Sequence, residues 1–179
     1  MKIAIFGGSF DPPHIGHEQI VNLILNNLDI DLLFIIPTYL SPFKKEFCLL
    51  PKERLTLINK LFWDEKKVVV SNYEVNSNRS VPTIDTVRYL SLTYKISKIY
   101  LIIGDDHLKS LHLWDSFDEL QKRVEFVVIN RNNTPTNYKN IPFKLEVSSS
   151  AIRDDFNINL IPTKIQNEVK EIWKKELNK

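Results

Sequence analysis

The sequence predicts an α/β fold, a Rossmann-like doubly wound parallel sheet in a single domain (residues 1–179) with a helical C-terminal end. Short apolar, β-branched runs recur along the chain at residues 3–6, 32–36, 68–70, 100–103 and 126–129, and segments of helical length separate them. Strands and helices that alternate through right-handed crossovers give this fold. Its ligands bind beyond the carboxyl ends of the strands, so we expect the functional site in the loops that follow them.

Apolar stripes at helical spacing mark the segments between these runs. In the first segment the apolar residues recur at i, i+1, i+4, i+5 and i+8, which predicts a helix with one buried face. The stripes are Ile20, Val21, Ile24, Leu25 and Leu28; Leu55, Leu57, Ile58, Leu61 and Phe62; and Ile84, Val87 and Leu90. After Pro162, a further stripe of Ile165, Val169, Ile172 and Trp173 predicts a C-terminal amphipathic helix. Residues 130–144, rich in Asn, Thr and Pro, predict a loop.

Composition narrows the class of protein. The 179 residues are 43% hydrophobic and 26% charged, which excludes a disordered chain. The net charge of +2 offers no broad cationic field for nucleic acid, so a phosphate ligand must be bound by local groups. Cys48, the single cysteine, leaves no internal disulfide, and we see neither a leader peptide nor a membrane-spanning run. We therefore expect a cytoplasmic protein without nucleic-acid or membrane partners, and the oligomeric state stays open.

The loop after the first run combines glycines with two histidines. Gly7 and Gly8 let a backbone approach a phosphate, and a helix that opens near His14 would point its N–H groups at the phosphate. His14 and His17 lie three residues apart, so both imidazoles can donate to one polyphosphate. Gly16 between them would leave bare backbone for a flat purine. Alternatives are a glycine turn of purely geometric use, two surface histidines in a helix cap, and a metal site.

Two motifs resemble the nucleotidylyltransferase superfamily. GGSFDPPHIGH at residues 7–17 is similar to its GG[ST]FDPxHxGH signature, and VSSSAIR at residues 147–153 is similar to its ISSTxIR segment. An ordinary helix N-cap is the alternative for Ser148 or Ser149. The resemblance implies catalytic roles for His14, His17, Lys44 and Arg153. It also implies that ATP is bound by Gly7, Gly8, Ser9, Phe10, Gly16, Gly104, Asp106, Ser148, Ser149 and Ile152.

Within this superfamily the chain most resembles the bacterial nicotinate-nucleotide adenylyltransferases. Four segments carry the likeness: IPT with SPFKK (residues 36–45), VPTIDT (81–86), IIGDDHL with LW (102–114) and VVINR (127–131). Phe43 and Pro82 depart from the His and Tyr that are common in the family. The resemblance implies that Lys44 binds a phosphate, that Asp106 contacts a ribose hydroxyl, and that nicotinate mononucleotide is bound by Thr83, Trp114 and Arg131. The alternatives are a solvated lysine pair, a helix cap at Asp105 or Asp106, a packed core tryptophan and an arginine that counters a carboxylate.

The resemblance implies transfer of the adenylyl group of ATP to nicotinate mononucleotide, which gives deamido-NAD and pyrophosphate in NAD biosynthesis. Mg²⁺ would enter as a cofactor held largely by the ATP phosphates and water, and we see no protein metal site. The alternatives are a phosphopantetheine adenylyltransferase or a cytidylyltransferase of the same superfamily, and a noncatalytic nucleotide-binding module. RNA binding by analogy with the HIGH element of class I tRNA synthetases is weaker, because the chain is short and nearly neutral.

Overall fold

The computed structural model describes residues 1–40, 46–145 and 147–177. Its described strands are β1 (Lys2–Gly8), β2 (Leu32–Pro37), β3 (Val68–Val70), β4 (Lys98–Gly104), β5 (Glu125–Asn130) and β6 (Lys139–Pro142). They form one sheet in the order β3-β2-β1-β4-β5-β6, and all neighbouring strands are parallel. The predicted parallel sheet is confirmed.

Helices cover both faces of this sheet. The described helices are α1 (Ile15–Asn27), α2 (Pro51–Phe62), α3 (Tyr73–Asn76), α4 (Thr83–Thr93), α5 (Phe117–Arg123), α6 (Ser149–Asp155) and α7 (Gln166–Leu177). One core packs α1, α2, α6 and α7 against Ala4, Phe6 and their neighbours, and the other packs α4 and α5 against Ile3 and Ile5. Successive β1 residues thus point into opposite cores, as expected for a strand buried on both faces. The doubly wound architecture is confirmed.

The order of the strands sets where a ligand can enter. The chain runs outward from β1 through β2 to β3 and then returns to β4 on the other side of β1. Helices on the two sides of such a reversal lie on opposite faces, which leaves a crevice beyond the carboxyl ends of β1 and β4. None of the helices in the described part of the chain combines the length and the apolar character needed to cross a bilayer.

The prediction of a loop over residues 130–144 was wrong in part, because this stretch contains β6. In this strand Ile141 is buried, whereas Lys139, Asn140 and Pro142 are exposed. Pro142 is tolerated because β6 lies at the edge of the sheet, where a missing N–H breaks no inner ladder. The C-terminal helix is confirmed from Gln166, and Ile165, Val169 and Trp173 of the predicted stripe are buried.

Candidate active site

A cavity of about 360 Å³ opens beyond the carboxyl ends of β1, β2 and β4, where the fold predicts a ligand. Residues from distant parts of the sequence line it. Among the residues predicted for binding, its walls contain Gly7, Gly8, Ser9, Thr83, Gly104 and Trp114. The structure therefore brings the glycine loop after β1 together with the segments of residues 81–86 and 102–114.

Trp114 and Thr83 form one part of this cavity. Trp114 is half-buried, and its ring meets the imidazole of His107 edge-on at 5.5 Å between ring centroids. Its indole Nε1–H is buried and has no hydrogen-bond partner among the described residues. Thr83 is the first residue of α4, at a helix end whose leading N–H groups lack acceptors within the helix. This wall offers a flat ring for stacking and several N–H donors.

The sequence did not assign several polar residues of the cavity wall to the site, among them Thr38, Glu74 and Thr86. Glu74 is buried in α3, and its carboxylate accepts a hydrogen bond of 2.6 Å from the Thr86 hydroxyl of α4. Burial raises the pKa of Glu74 to about 7, and the hydrogen bond from Thr86 opposes this rise. The hydroxyl oxygen of Thr38 is buried without a partner among the described residues. Glu74 and Thr86 lie 12 residues apart in different helices, so no local pattern reveals their contact.

The two histidines lie at the start of α1 with stacked rings. Their centroids are 3.7 Å apart, and the ring planes differ by 24°. The backbone N–H of His14 donates to Nδ1 of His17 at 3.1 Å. Since Nδ1 of His17 accepts this bond, the neutral His17 ring carries its proton on Nε2. His17 is half-buried, whereas His14 is only 2% exposed.

Both imidazoles are neutral at pH 7. Burial lowers the pKa of His14 to about 4, and the positive charge of Arg131 lowers it further. The pKa of His17 lies well below its usual value. Burial is the largest cause, followed by the electrostatic effects of His14 and then of Arg131. Each ring can thus donate one N–H in the free protein. Because the charge of Arg131 lowers the pKa of both histidines, Arg131 lies on the histidine side of the site. The sequence assigned Arg131 to nicotinate mononucleotide, but it is not among the residues that line the cavity.

Phe10 and Gly16 have structural roles that differ from the predicted contacts with ATP. Phe10 is 1% exposed, and its ring packs against the ring of His17 at 4.7 Å between centroids, so it helps to hold that imidazole in place. A Cβ on Gly16 would lie 2.5 Å from Cγ1 of Val147 and 3.0 Å from the His14 ring. Gly16 is therefore needed for close packing of α1 against the second motif, a different reason from the purine platform that the sequence suggested.

The second motif packs against the loop after β1. The Ser149 hydroxyl donates to the Pro12 carbonyl at 3.1 Å, across 137 residues of sequence, and Nη1 of Arg153 donates to the Asp11 carbonyl. Ser148 caps α6 by accepting from the Ala151 N–H at 3.2 Å, so it does serve as a helix N-cap. The two motifs that carry the family resemblance are therefore in direct contact.

Two further predicted residues are Ile152 and Lys44. Ile152 was also predicted to bind ATP, but it is fully buried in the core and anchors α6 beneath the motif. Lys44, predicted as a catalytic phosphate ligand, lies outside the described residues.

The two aspartates after β4 have different environments. Asp105 is buried and accepts hydrogen bonds from the backbone and side-chain N–H groups of Asn132 and from the Thr134 hydroxyl, at 2.9 to 3.0 Å. It therefore fixes the loop after β5. The Asp106 side chain is 69% exposed, and its Oδ1 would lie 2.2 Å from a Cβ built on Gly104. Of the two carboxylates, that of Asp106 is the one open to solvent.

The cytidylyltransferase-like family model matches residues 5–155, which include both motifs and the cavity. A chain from Campylobacter jejuni named "Probable nicotinate-nucleotide adenylyltransferase" is 47% identical over 98% of both chains. One of the same name from Aliarcobacter butzleri is 42% identical over 99% of this chain and all of its own. The chain belongs to the nicotinate-nucleotide adenylyltransferase family.

A solved structure supports the fold of this adenylyltransferase family member. Plasmodium falciparum nicotinic acid mononucleotide adenylyltransferase, complexed with NaAD, superposes with a TM-score of 0.73 at 22% identity, over 95% of each chain. The match of the family model ends at residue 155, the last residue of α6. In this member of the adenylyltransferase family, α7 therefore lies beyond the part that the family model describes.

Proposed function

We propose that the protein transfers the adenylyl group of ATP to nicotinate mononucleotide and releases deamido-NAD and pyrophosphate. One observation carries this proposal: the loop after β1 joins the cavity to the histidine pair. Gly7, Gly8 and Ser9 line the cavity, and the same loop continues to His14 and His17 at the start of α1. A mononucleotide with its ring in the cavity can therefore direct its 5′-phosphate to the histidines.

The cavity suits the pyridine end of nicotinate mononucleotide. The ring would stack on Trp114, and its carboxylate needs hydrogen-bond donors. The Thr83 hydroxyl and the leading N–H groups of α4 are donors on this wall. An acid uses such donors fully, whereas an amide brings an N–H₂ group that needs acceptors. We therefore expect a preference for the acid over the amide.

The ATP side is formed by the two motifs and the loop after β4. The glycines after β1 allow the backbone to approach phosphates, and Asp106 is exposed beside Gly104 for a ribose hydroxyl. Arg153 lies against the loop after β1, through Asp11, at the end of the site where the outer phosphates of ATP would lie. A guanidinium suits phosphate because it donates several N–H groups in a fixed plane.

The reaction needs positioning and charge stabilisation more than covalent chemistry by the protein. An oxygen of the mononucleotide 5′-phosphate attacks the α-phosphorus of ATP, the bond from that phosphorus to the bridging oxygen breaks, and pyrophosphate leaves with the electron pair. The N–H groups of His14 and His17, with Arg131 and Arg153, would donate to the oxygens on which charge accumulates. No proton has to leave a protein group, which agrees with two neutral imidazoles acting as donors.

Mg²⁺ fits this site as part of the ATP substrate. Histidine N–H groups and arginines surround the phosphate region, and neither group offers the oxygen ligands that Mg²⁺ prefers. We propose that the ion is bound by the ATP phosphates and water, where it neutralises phosphate charge. Because the reaction consumes ATP, we also propose a cytoplasmic location.

The test is pyrophosphate release by the purified protein with MgATP and three acceptors offered separately: nicotinate mononucleotide, nicotinamide mononucleotide and phosphopantetheine. We expect release with the nicotinate compound at a kcat/KM at least about 10-fold above that for the amide, the effect of about one well-placed hydrogen bond. Equal kcat/KM for acid and amide would refute the specificity argument. Release with phosphopantetheine alone would show that phosphopantetheine is the acceptor instead of nicotinate mononucleotide. No release with any acceptor would favour a noncatalytic nucleotide-binding module.

A further inference from the structure

Arg54 of α2 is a buried charged side chain that the proposed reaction does not use. It is 1% exposed and lies on the face of α2 that also buries Leu57, Ile58 and Leu61. A buried charge is costly unless hydrogen bonds satisfy it, and an apolar side chain of similar volume is often as stable or more stable. Core packing alone therefore does not explain an arginine at this position.

Among the described residues, the Arg54 guanidinium donates to backbone carbonyls alone. Nε donates to Leu49 at 3.1 Å, Nη1 donates to Ser9 at 2.6 Å and to Thr38 at 2.7 Å, and Nη2 donates to Tyr39 at 2.7 Å. Among the described residues no carboxylate lies within ion-pair distance of it. The side chain therefore connects three separate stretches of backbone.

Two of these stretches are the loops that form the phosphate side of the cavity. Ser9 belongs to the loop after β1, which leads to the histidines, and Thr38 belongs to the loop after β2; both line the cavity. A backbone hydrogen bond of 2.9 Å from the Thr38 N–H to the Gly8 carbonyl joins the same two loops. The Ser9 and Thr38 carbonyls both accept from Nη1 of Arg54, so one guanidinium nitrogen bridges the two loops.

Asp11 adds a second connection between the same elements. Its carboxylate is 2% exposed and accepts from the backbone N–H groups of Cys48 and Leu49, at 3.0 and 2.8 Å. Leu49 therefore receives a bond from Asp11 at its N–H and one from Arg54 at its carbonyl. The loop after β1 is fixed to the start of α2 by an anion and a cation, each through backbone groups.

We propose that Arg54 is a positioning residue for adenylyl transfer, which sets the distance between the loops after β1 and β2 and so places the loop that leads to His14 and His17. This proposal depends on the proposed function. The planar guanidinium of Arg54 donates to four carbonyls at once, which the ammonium group of a lysine on a flexible side chain cannot do. Misplacement of reacting groups by about 1 Å can cost about 100-fold in rate, so a small displacement of these loops has a large effect on turnover.

The test uses Arg54→Met, Arg54→Lys and Arg54→Ala in the full chain, with Arg88→Ala as the matched control. Arg88 is an exposed arginine of α4 that pairs with Asp85 and Glu119 outside the cavity. We measure kcat and KM for ATP and for nicotinate mononucleotide at 20 °C below the Tm of each variant, so that all chains assayed are folded. We expect kcat to fall about 100-fold in Arg54→Met and in Arg54→Lys, with the two KM values changed by less.

Chemical rescue separates positioning from general stability. Millimolar methylguanidinium should raise the kcat of Arg54→Ala by at least about 10-fold, because it refills the vacated site, and should leave Arg88→Ala and the wild type unchanged. A folded Arg54→Met or Arg54→Lys protein with kcat within about 3-fold of wild type would overturn the proposal, and so would a low kcat in Arg54→Ala that methylguanidinium does not raise. If Arg54→Ala does not fold, the kcat of Arg54→Lys decides. Absence of turnover in the wild type would instead refute the proposed function.

Discussion

The buried carboxyl of Glu74 makes the stability of this protein depend on pH in a way that one substitution removes. Burial raises its pKa from 4.5 to about 7 in the native state. The native chain thus favours the protonated form, so this contribution to stability is complete below pH 4.5 and is lost as the pH rises through about 7. At about 1.4 kcal/mol per pKa unit, the total loss is about 3 kcal/mol.

Glu74→Gln keeps the shape and keeps an oxygen that can accept from Thr86, but it cannot ionise. We expect the unfolding free energy of the variant, relative to wild type, to rise by about 2 kcal/mol between pH 5 and pH 8, because part of the loss already occurs below pH 5. For a chain of this length the relative Tm rises by roughly 4–8 °C.

The assay is urea unfolding followed by tryptophan fluorescence at pH 5, 6, 7 and 8, for wild type, Glu74→Gln and a control, Glu65→Gln. Glu65 is an exposed glutamate in the turn after α2. Differences between variants at each pH cancel the titration of all other groups. Parallel stability profiles for wild type and Glu74→Gln, or a gap that narrows as the pH rises, would refute the reasoning.

Three further predictions concern the loop after β1 and α1. Burial lowers the pKa of His14 to about 4, so the stability that the neutral ring contributes above pH 6.5 is lost as the pH falls. Between pH 7 and pH 5 the unfolding free energy of wild type, measured with urea, should therefore fall by about 2 kcal/mol more than that of His14→Gln. Gly16→Ala should cost about 1–3 kcal/mol by urea unfolding, and Val147→Ala should relieve part of this cost in the double variant; strict additivity of the two would argue against the contact. In the pyrophosphate assay, His17→Ala should lower kcat by about 100-fold, whereas His112→Ala, an exposed residue, should not; near-normal turnover in His17→Ala would contradict its role as a donor.

The sequence predicts the sheet well because its inner strands are buried on both faces. Such strands consist of uninterrupted apolar residues, and the helices between them carry clear stripes. β6 was not predicted because it lacks this pattern. It is a four-residue edge strand with one buried side chain, and its Lys, Asn and Pro are typical of a loop.

Parts of the candidate site could likewise be predicted from the sequence, and parts could not. The two motifs are contiguous in sequence, so the resemblance identifies them, and the fold places them in contact. Burial of Phe10 and Ile152 depends on tertiary packing, so the sequence assigned both to ligand contacts that their buried side chains do not favour. Glu74 and Arg54 were missed because their partners are a hydroxyl in another helix and backbone carbonyls in distant loops, neither of which leaves a pattern in sequence.

The charges around the loop after β1 share one feature: each forms hydrogen bonds to backbone groups and none to an opposite charge among the described residues. Arg54 and Arg153 bind its carbonyls, and the carboxylate of Asp11 binds backbone N–H groups at the start of α2. A loop held in this way has its orientation fixed before any ligand arrives. Since preorganised donors stabilise a transition state without reorganisation at the moment of reaction, a rigid loop lets neutral histidines serve as effective donors to phosphate. Burial lowers the pKa of both rings, and the same burial, through Phe10 beneath His17, holds that ring in place.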